Sequence, residues 1–161
     1  MGKTVRVELS AKGINSAIKE VKAYKAWVLA KEAELRTRLA SLGATVASIQ
    51  FARAIYNGTN DVSVRVDNTG SVAVIYAEGE AVAFIEFGSG AKYGYGHPQA
   101  GELGMGPGTY DGKGHWDDPR GWYYGHNQHS FGNPPSMSMY RAVQHMTEQL
   151  TAIAREVFGG S

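Results

Sequence analysis

The sequence predicts an α+β fold: helices packed on a small antiparallel β-sheet, with a long Gly- and aromatic-rich loop before the C-terminal helix. Three observations carry this. Apolar residues recur at alternating four- and three-residue steps near both ends of the chain, the signature of one helical face. Between them, "DVSVRVD" and "SVAVIYA" alternate apolar and polar around "NTG", as in a β-hairpin. Residues 88–134 then hold 13 Gly and four of the five His in 47 residues, with no period of either kind. The 161 residues suffice for a single domain, 1–161, in which 88–134 is an extended arm.

Taken in order, "VRVEL" (Val5–Leu9) alternates like a short strand. Ile14, Ile18, Val21, Val28, Leu35, Leu39 and Leu42 form one stripe on a long helix if Lys25 and Glu32 fill the two missing places. Gly43 is a natural C-terminal stop, and "ATVASIQFARAIYNG" reads as a second helix ending at Asn57-Gly58. After the hairpin, "EAVAFIEFG" suits either a third strand or one helical turn, and Gly88 ends it either way. "RGWYYGHNQHSF" resembles a small hairpin with aromatic arms. "NPPSMSMYRAV" leads into the last helix with Ser136 or Ser138 as N-cap, and Met139, Val143, Met146, Leu150, Ile153 and Val157 form its stripe. The first and last helices are expected to pack through these stripes.

Composition narrows the function classes. Net charge is +1, which marks neither a nucleic-acid nor a membrane partner. The charge is uneven: residues 1–42 carry nine Lys/Arg against four Asp/Glu, +5, and the remainder sums to −4. The basic residues of the first helix lie on several faces with Glu between them, so a solvated helix surface is preferred to a DNA contact. Without Cys there is no disulfide, thiolate metal site or thiol nucleophile. "MGKTVRVELSAKG" lacks the apolar region of a secretion signal, and no run has the length of a membrane span.

The loop "GHWDDPRGWYYGHNQHSFGNPP" invites several chemistries. His97, His115, Asp117, His126 and His129 could supply zinc ligands, but there is no HExxH, and a hairpin puts His126 in a turn and His129 on an arm. Hydrogen bonding within a polar loop is preferred, and no metal or cofactor is expected. Asp117 and Asp118 are adjacent before Pro119, a turn pattern and poor geometry for a catalytic pair. "GELGMGPGTYDGKG" lacks the GxxxxGK[ST] of a phosphate loop. Glu86 sits amid apolar neighbours, where a buried carboxylate needs a partner; a structural ion pair is preferred to catalysis. Aromatic faces beside Asp and Asn would suit a carbohydrate, but Trp and Tyr are also enriched where protein surfaces bury each other.

"AVAFIEFGSG", a Gly-rich stretch with "HP", "GELG" and "GTYDGKGHW", the "GWYY" arm and "GNPPSMSMYRAVQHM" follow one another in an order that resembles the head–tail joining, neck or tail-completion proteins of tailed bacteriophages. The resemblance covers about residues 43–158. Glu86-Phe87-Gly88 matches that family's EFG-type turn, and Gly132, Pro134, Pro135, Met137, Met139, Tyr140 and Ala142 match its lead-in to the final helix, with Ser138 where a second Pro is common.

The resemblance implies a non-enzymatic virion protein at the head–tail junction. It implies a homo-oligomeric ring, six-fold or twelve-fold, around the channel through which DNA passes without sequence-specific binding. Portal, head-completion, neck or tail-tube proteins would be its neighbours, and no membrane is involved. The expected interface comprises Glu86, Phe87, Gly88, Tyr93, Tyr95, Tyr110, Trp116, Trp122, Tyr123, Tyr124, Phe131, Pro135, Met137, Met139 and Tyr140. Ordering so glycine-rich a loop costs about 1–2 kcal/mol per residue, which contacts with neighbouring copies would offset. The rival readings are a free-standing module that binds carbohydrate or protein through the aromatic loop and, behind it, a His-dependent metalloenzyme.

Overall fold

The computed structural model describes residues 4–90, 92–93, 96–105, 118–124 and 126–159, with Tyr124 described by its backbone alone. The fold is α+β, as the sequence predicts. Its elements are α1 (Ala11–Ala52), β1 (Ser63–Asp67), β2 (Val74–Glu78), α2 (Val82–Phe87), β3 (Trp122–Tyr124), β4 (Gln128–Ser130) and α3 (Ser138–Gly159).

The helical spacing of the first half produces one helix where two were expected. Ser10 caps α1, its side chain accepting from the Gly13 amide at 3.1 Å. The helix then runs through Gly43 to Ala52. Gly43 does not stop it because it serves packing: a Cβ there would collide with the Met146 sulfur and the Ile75 side chain. Val5–Leu9 is not a strand either. Each of the two described sheets has two strands and neither gives this segment a partner, so Leu9 is fully exposed.

The hairpin forms as expected, β1 and β2 pairing antiparallel with Val64 opposite Ala77 and Asp67 opposite Val74. Its turn is longer than "NTG". Asp67 folds it by accepting from the Thr69 amide and hydroxyl at 3.0 and 2.7 Å, and Gly70 takes a left-handed φ of 80°. Arg36 of α1 holds the turn through the carbonyls of Gly70 and Ser71. "VAFIEF" resolves to the short helix α2, and Asp61 holds the turn that leads into it, its carboxylate accepting from the amides of Glu80 and Ala81 at 2.7 and 2.9 Å.

α1 and α3 pack antiparallel, with Arg38 reaching Glu156, Gly43 facing Met146 and Gln50 meeting Arg141. The face of α1 that closes this contact is not the predicted stripe. Ala40, Gly43, Ala47 and Phe51 are buried, whereas Leu35, Leu39 and Leu42 are half-buried at its flank. Small residues let the two axes approach, so the helices meet where side chains are short. On α3, Ser138, Ala142 and Val157 are buried, while Val143 and Leu150 of the predicted stripe remain exposed. The core joins Ala47, Phe51, Ala81, Ile85 and Ala142, with Val62, Val64 and Ala77 of the hairpin packed against it.

No described helix is long and apolar enough to cross a membrane.

Candidate functional site: a clamped aromatic hairpin

The chain between α2 and α3 leaves and rejoins the body at one point. Ser89 and Asn133 exchange backbone hydrogen bonds of 3.0 and 3.1 Å, and their side chains are also hydrogen-bonded. The Asn133 amide group further donates to the Phe84 carbonyl at 2.8 Å. Such close backbones demand glycine: at Gly132 (φ 98°) a Cβ would collide with the Ser89 carbonyl, and at Gly88 (φ 77°) one would lie 2.8 Å from the Pro135 nitrogen.

Glu86 closes the clamp. It is 5% exposed, and its carboxylate caps α3 from a distance: Oε2 accepts from the Met139 amide at 2.9 Å and Oε1 from the Tyr140 amide at 3.0 Å. A negative charge there also suits the positive end of the helix. In return the amides of Ser136 and Met137 donate to the Ile85 and Glu86 carbonyls at the end of α2. This overturns the expectation that Ser136 or Ser138 caps α3; those two hydroxyls bond each other instead.

His97 is the third member. It is 4% exposed, with Nε2 lying 3.3 Å from Glu86 Oε1, and Nδ1 accepts from the Gln99 amide at 3.1 Å. The second bond puts the ring proton on Nε2, facing the carboxylate. Phe87 and Tyr140 flank the ring with centroids 4.6 and 5.5 Å away. His97 entered the sequence reading as a possible metal ligand, but here it ties the first part of the loop to the body. Among the described residues no three His, Asp or Glu side chains are grouped to hold a metal ion; His115 and Asp117 lie outside them.

The hairpin expected at "RGWYYGHNQHSF" is β3–β4, with Trp122 opposite Ser130 and Tyr123 opposite His129. Asn127 takes a left-handed φ of 63° in its turn. Ser130 is buried and receives the Asn57 side-chain amide at 3.2 Å, which fixes the hairpin to the segment that follows α1. On the outer side three rings form a row: Tyr123 to His129 and His129 to Phe131, each with centroids 4.6 Å apart. Tyr123 is 73% exposed and Phe131 52%.

The expected interface residues therefore separate into two sets. Tyr123 and Phe131 stand outward, and Trp122 and Tyr93 are half-buried. Glu86, Gly88, Phe87, Pro135, Met137, Met139 and Tyr140 sit in or beside the clamp, where Glu86 and Gly88 are buried. Tyr95, Tyr110 and Trp116 lie outside the described residues, as does the side chain of Tyr124. Ser89 and Asn133 escaped the sequence reading; the only signal was the glycine beside each, in "GSG" and "GNP". Comparison with known protein families, characterised proteins and solved structures finds no match.

Proposed function

We propose that this chain is a structural subunit of a tailed-phage neck, a head–tail connector or tail-completion ring that joins the portal side of the capsid to the tail around the DNA channel. The observation that carries the reading is the outward row Tyr123–His129–Phe131 on a base clamped by Ser89–Asn133 and Glu86. Rigidly held aromatic side chains lose little entropy on docking and serve as anchors at protein interfaces. The order of the EFG turn, glycine-rich loop and "GNPPSM" lead-in supports the same reading, since the clamp joins the first and last of these. The subunit works in the virion, as a hexameric or dodecameric ring, with portal, head-completion or tail-tube proteins as neighbours.

Light scattering with negative-stain imaging tests it. Rings, or a mass increase on adding portal-side or tail-side proteins that Tyr123→Ala with Phe131→Ala abolishes, support the reading. A protein that forms neither rings nor such complexes refutes it. The ring row also favours a second reading, a carbohydrate-binding module, because exposed aromatic side chains suit sugars. Saturable binding of an oligosaccharide that Tyr123→Ala abolishes would put that reading first.

A further inference from the structure

We infer that Asn57 is a deamidation site: its side-chain amide is lost by spontaneous cyclisation onto Gly58, and the loss frees the aromatic hairpin β3–β4 from the body of the subunit. The chain has six Asn, and Asn57 is the only one followed by glycine. In the reaction the backbone nitrogen of the next residue attacks the Asn side-chain carbonyl carbon. A bond forms between that nitrogen and Cγ, the bond from Cγ to Nδ2 breaks, and Nδ2 leaves as ammonia with the proton of the attacking amide. Water then opens the succinimide at either carbonyl and gives aspartate or isoaspartate, so no oxidant or cofactor takes part. A side chain on the next residue hinders the approach and narrows the backbone angles that permit it, which is why glycine in that place favours the reaction.

The structure leaves this pair open to attack. Asn57 and Gly58 lie in the segment between α1 and β1, and both are exposed. Among the described residues nothing accepts from the Gly58 N–H. Nearby Asn residues are held at both ends of the side-chain amide. Asn60 donates to the Phe51 carbonyl at 2.9 Å and accepts from the Val62 amide at 3.2 Å. Asn68 donates to the Thr37 hydroxyl and accepts from Arg36. Asn57 is held at one end, by the 3.2 Å bond from Nδ2 to Ser130 Oγ, and that is the bond the reaction removes. Ser130 Oγ also accepts from the Gly132 amide at 3.0 Å, and Ser130 is 4% exposed. Neither product has a hydrogen to give in place of Nδ2, and each brings a negative charge beside a buried oxygen. Isoaspartate also reroutes the backbone through the former side chain. Ser130 pairs with Trp122 across the hairpin that carries the row Tyr123–His129–Phe131. The change therefore loosens the surface that the neck and carbohydrate readings both use, and the inference rests on neither.

Incubation of the whole chain in warm, mildly alkaline buffer, followed by peptide mapping, tests the site. Asn57 should gain the mass of an Asn-to-Asp change, and take a methyl group from an isoaspartate methyltransferase, before Asn15 or Asn68 does. The converted fraction carries an added negative charge and separates on an anion exchanger. In it the amides of β3 and β4 should exchange hydrogen about fivefold faster than in fresh protein, the effect of one lost hydrogen bond, while the buried amides of α1 and α3 keep their rates. Asn57→Gln keeps a side-chain amide but cyclises far more slowly, so the same incubation should leave its mass and its hairpin exchange unchanged. Conversion of Asn15 or Asn68 ahead of Asn57 would overturn the inference, and so would a converted chain whose hairpin exchanges at the fresh rate. Every readout uses the isolated chain, so failure here leaves the neck reading standing, and a chain that forms no rings can still deamidate as inferred.

Discussion

The two halves of α1 carry the same apolar spacing and have opposite fates. From Ala40 to Phe51 the helix is pressed into the core; from Ala11 to Ala30 nearly every side chain faces solvent. The difference does not lie in the stripe, which Ile14, Ile18 and Val21 obey as well as Leu35 and Leu39. It lies in what stands opposite: α3 covers Ala40, Gly43 and Ala47, whereas the equally short Ala11, Ala23 and Ala26 are exposed. A periodic stripe and a run of small residues both mark a face able to bury itself; whether it does depends on another helix of the same chain lying against it.

Matched truncations should expose this contrast, and the largest loss belongs to the buried half. Phe51 is 2% exposed in the central cluster, so Phe51→Ala should cost about 3–5 kcal/mol in urea denaturation. A loss below 1 kcal/mol would mean that the α1–α3 contact is not the core.

Next comes the clamp. Glu86→Gln keeps the shape but removes one of the oxygens that accept from Met139 and Tyr140, leaving a part-buried amide unpaired. A loss of about 1–3 kcal/mol is expected, with faster hydrogen exchange at those two amides. Unchanged exchange there would show that α3 is capped in some other way.

A smaller effect appears with pH at Asp61. The amides of Ala81 and Glu80, in that order, hold its carboxyl below the usual range. A depressed native pKa gives stability that is complete above the unfolded value of about 4 and is lost as pH falls through the native one. The urea midpoint of the wild type should therefore drop between pH 5 and pH 2.5 by more than that of Asp61→Asn; equal drops would remove Asp61 from the account.

The smallest change belongs to the exposed half. Ile18→Ala, measured on the monomer at low concentration, should alter stability by no more than about 0.5 kcal/mol. A loss comparable to that of Phe51→Ala would show this face covered within the subunit, and the comparison of the two halves would fail.

Local rules made much of the architecture legible in the sequence. Alternation in "DVSVRVD" and "SVAVIYA" needs no distant partner to read as a hairpin, nor does the 4–3 spacing of α3 to read as a helix. The aromatic hairpin at Trp122–Ser130 was visible because its turn and arms are contiguous. Glu86 was visible as a carboxylate in apolar company that must have a partner, but not which partner, because His97 and the start of α3 are brought to it only by the loop returning at Asn133.

What the tertiary structure alone decided follows from the same distinction. Gly43 has the residue type of a helix stop, and only the approach of Met146 and Ile75 makes it a packing site inside a continuous helix. Val5–Leu9 alternates like a strand, but a strand needs a neighbour for its backbone hydrogen bonds, and none lies beside it among the described residues. Sequence periodicity fixes which side chains share a face, because that depends on residues within a turn of each other. Which face is buried depends on what the rest of the chain brings against it.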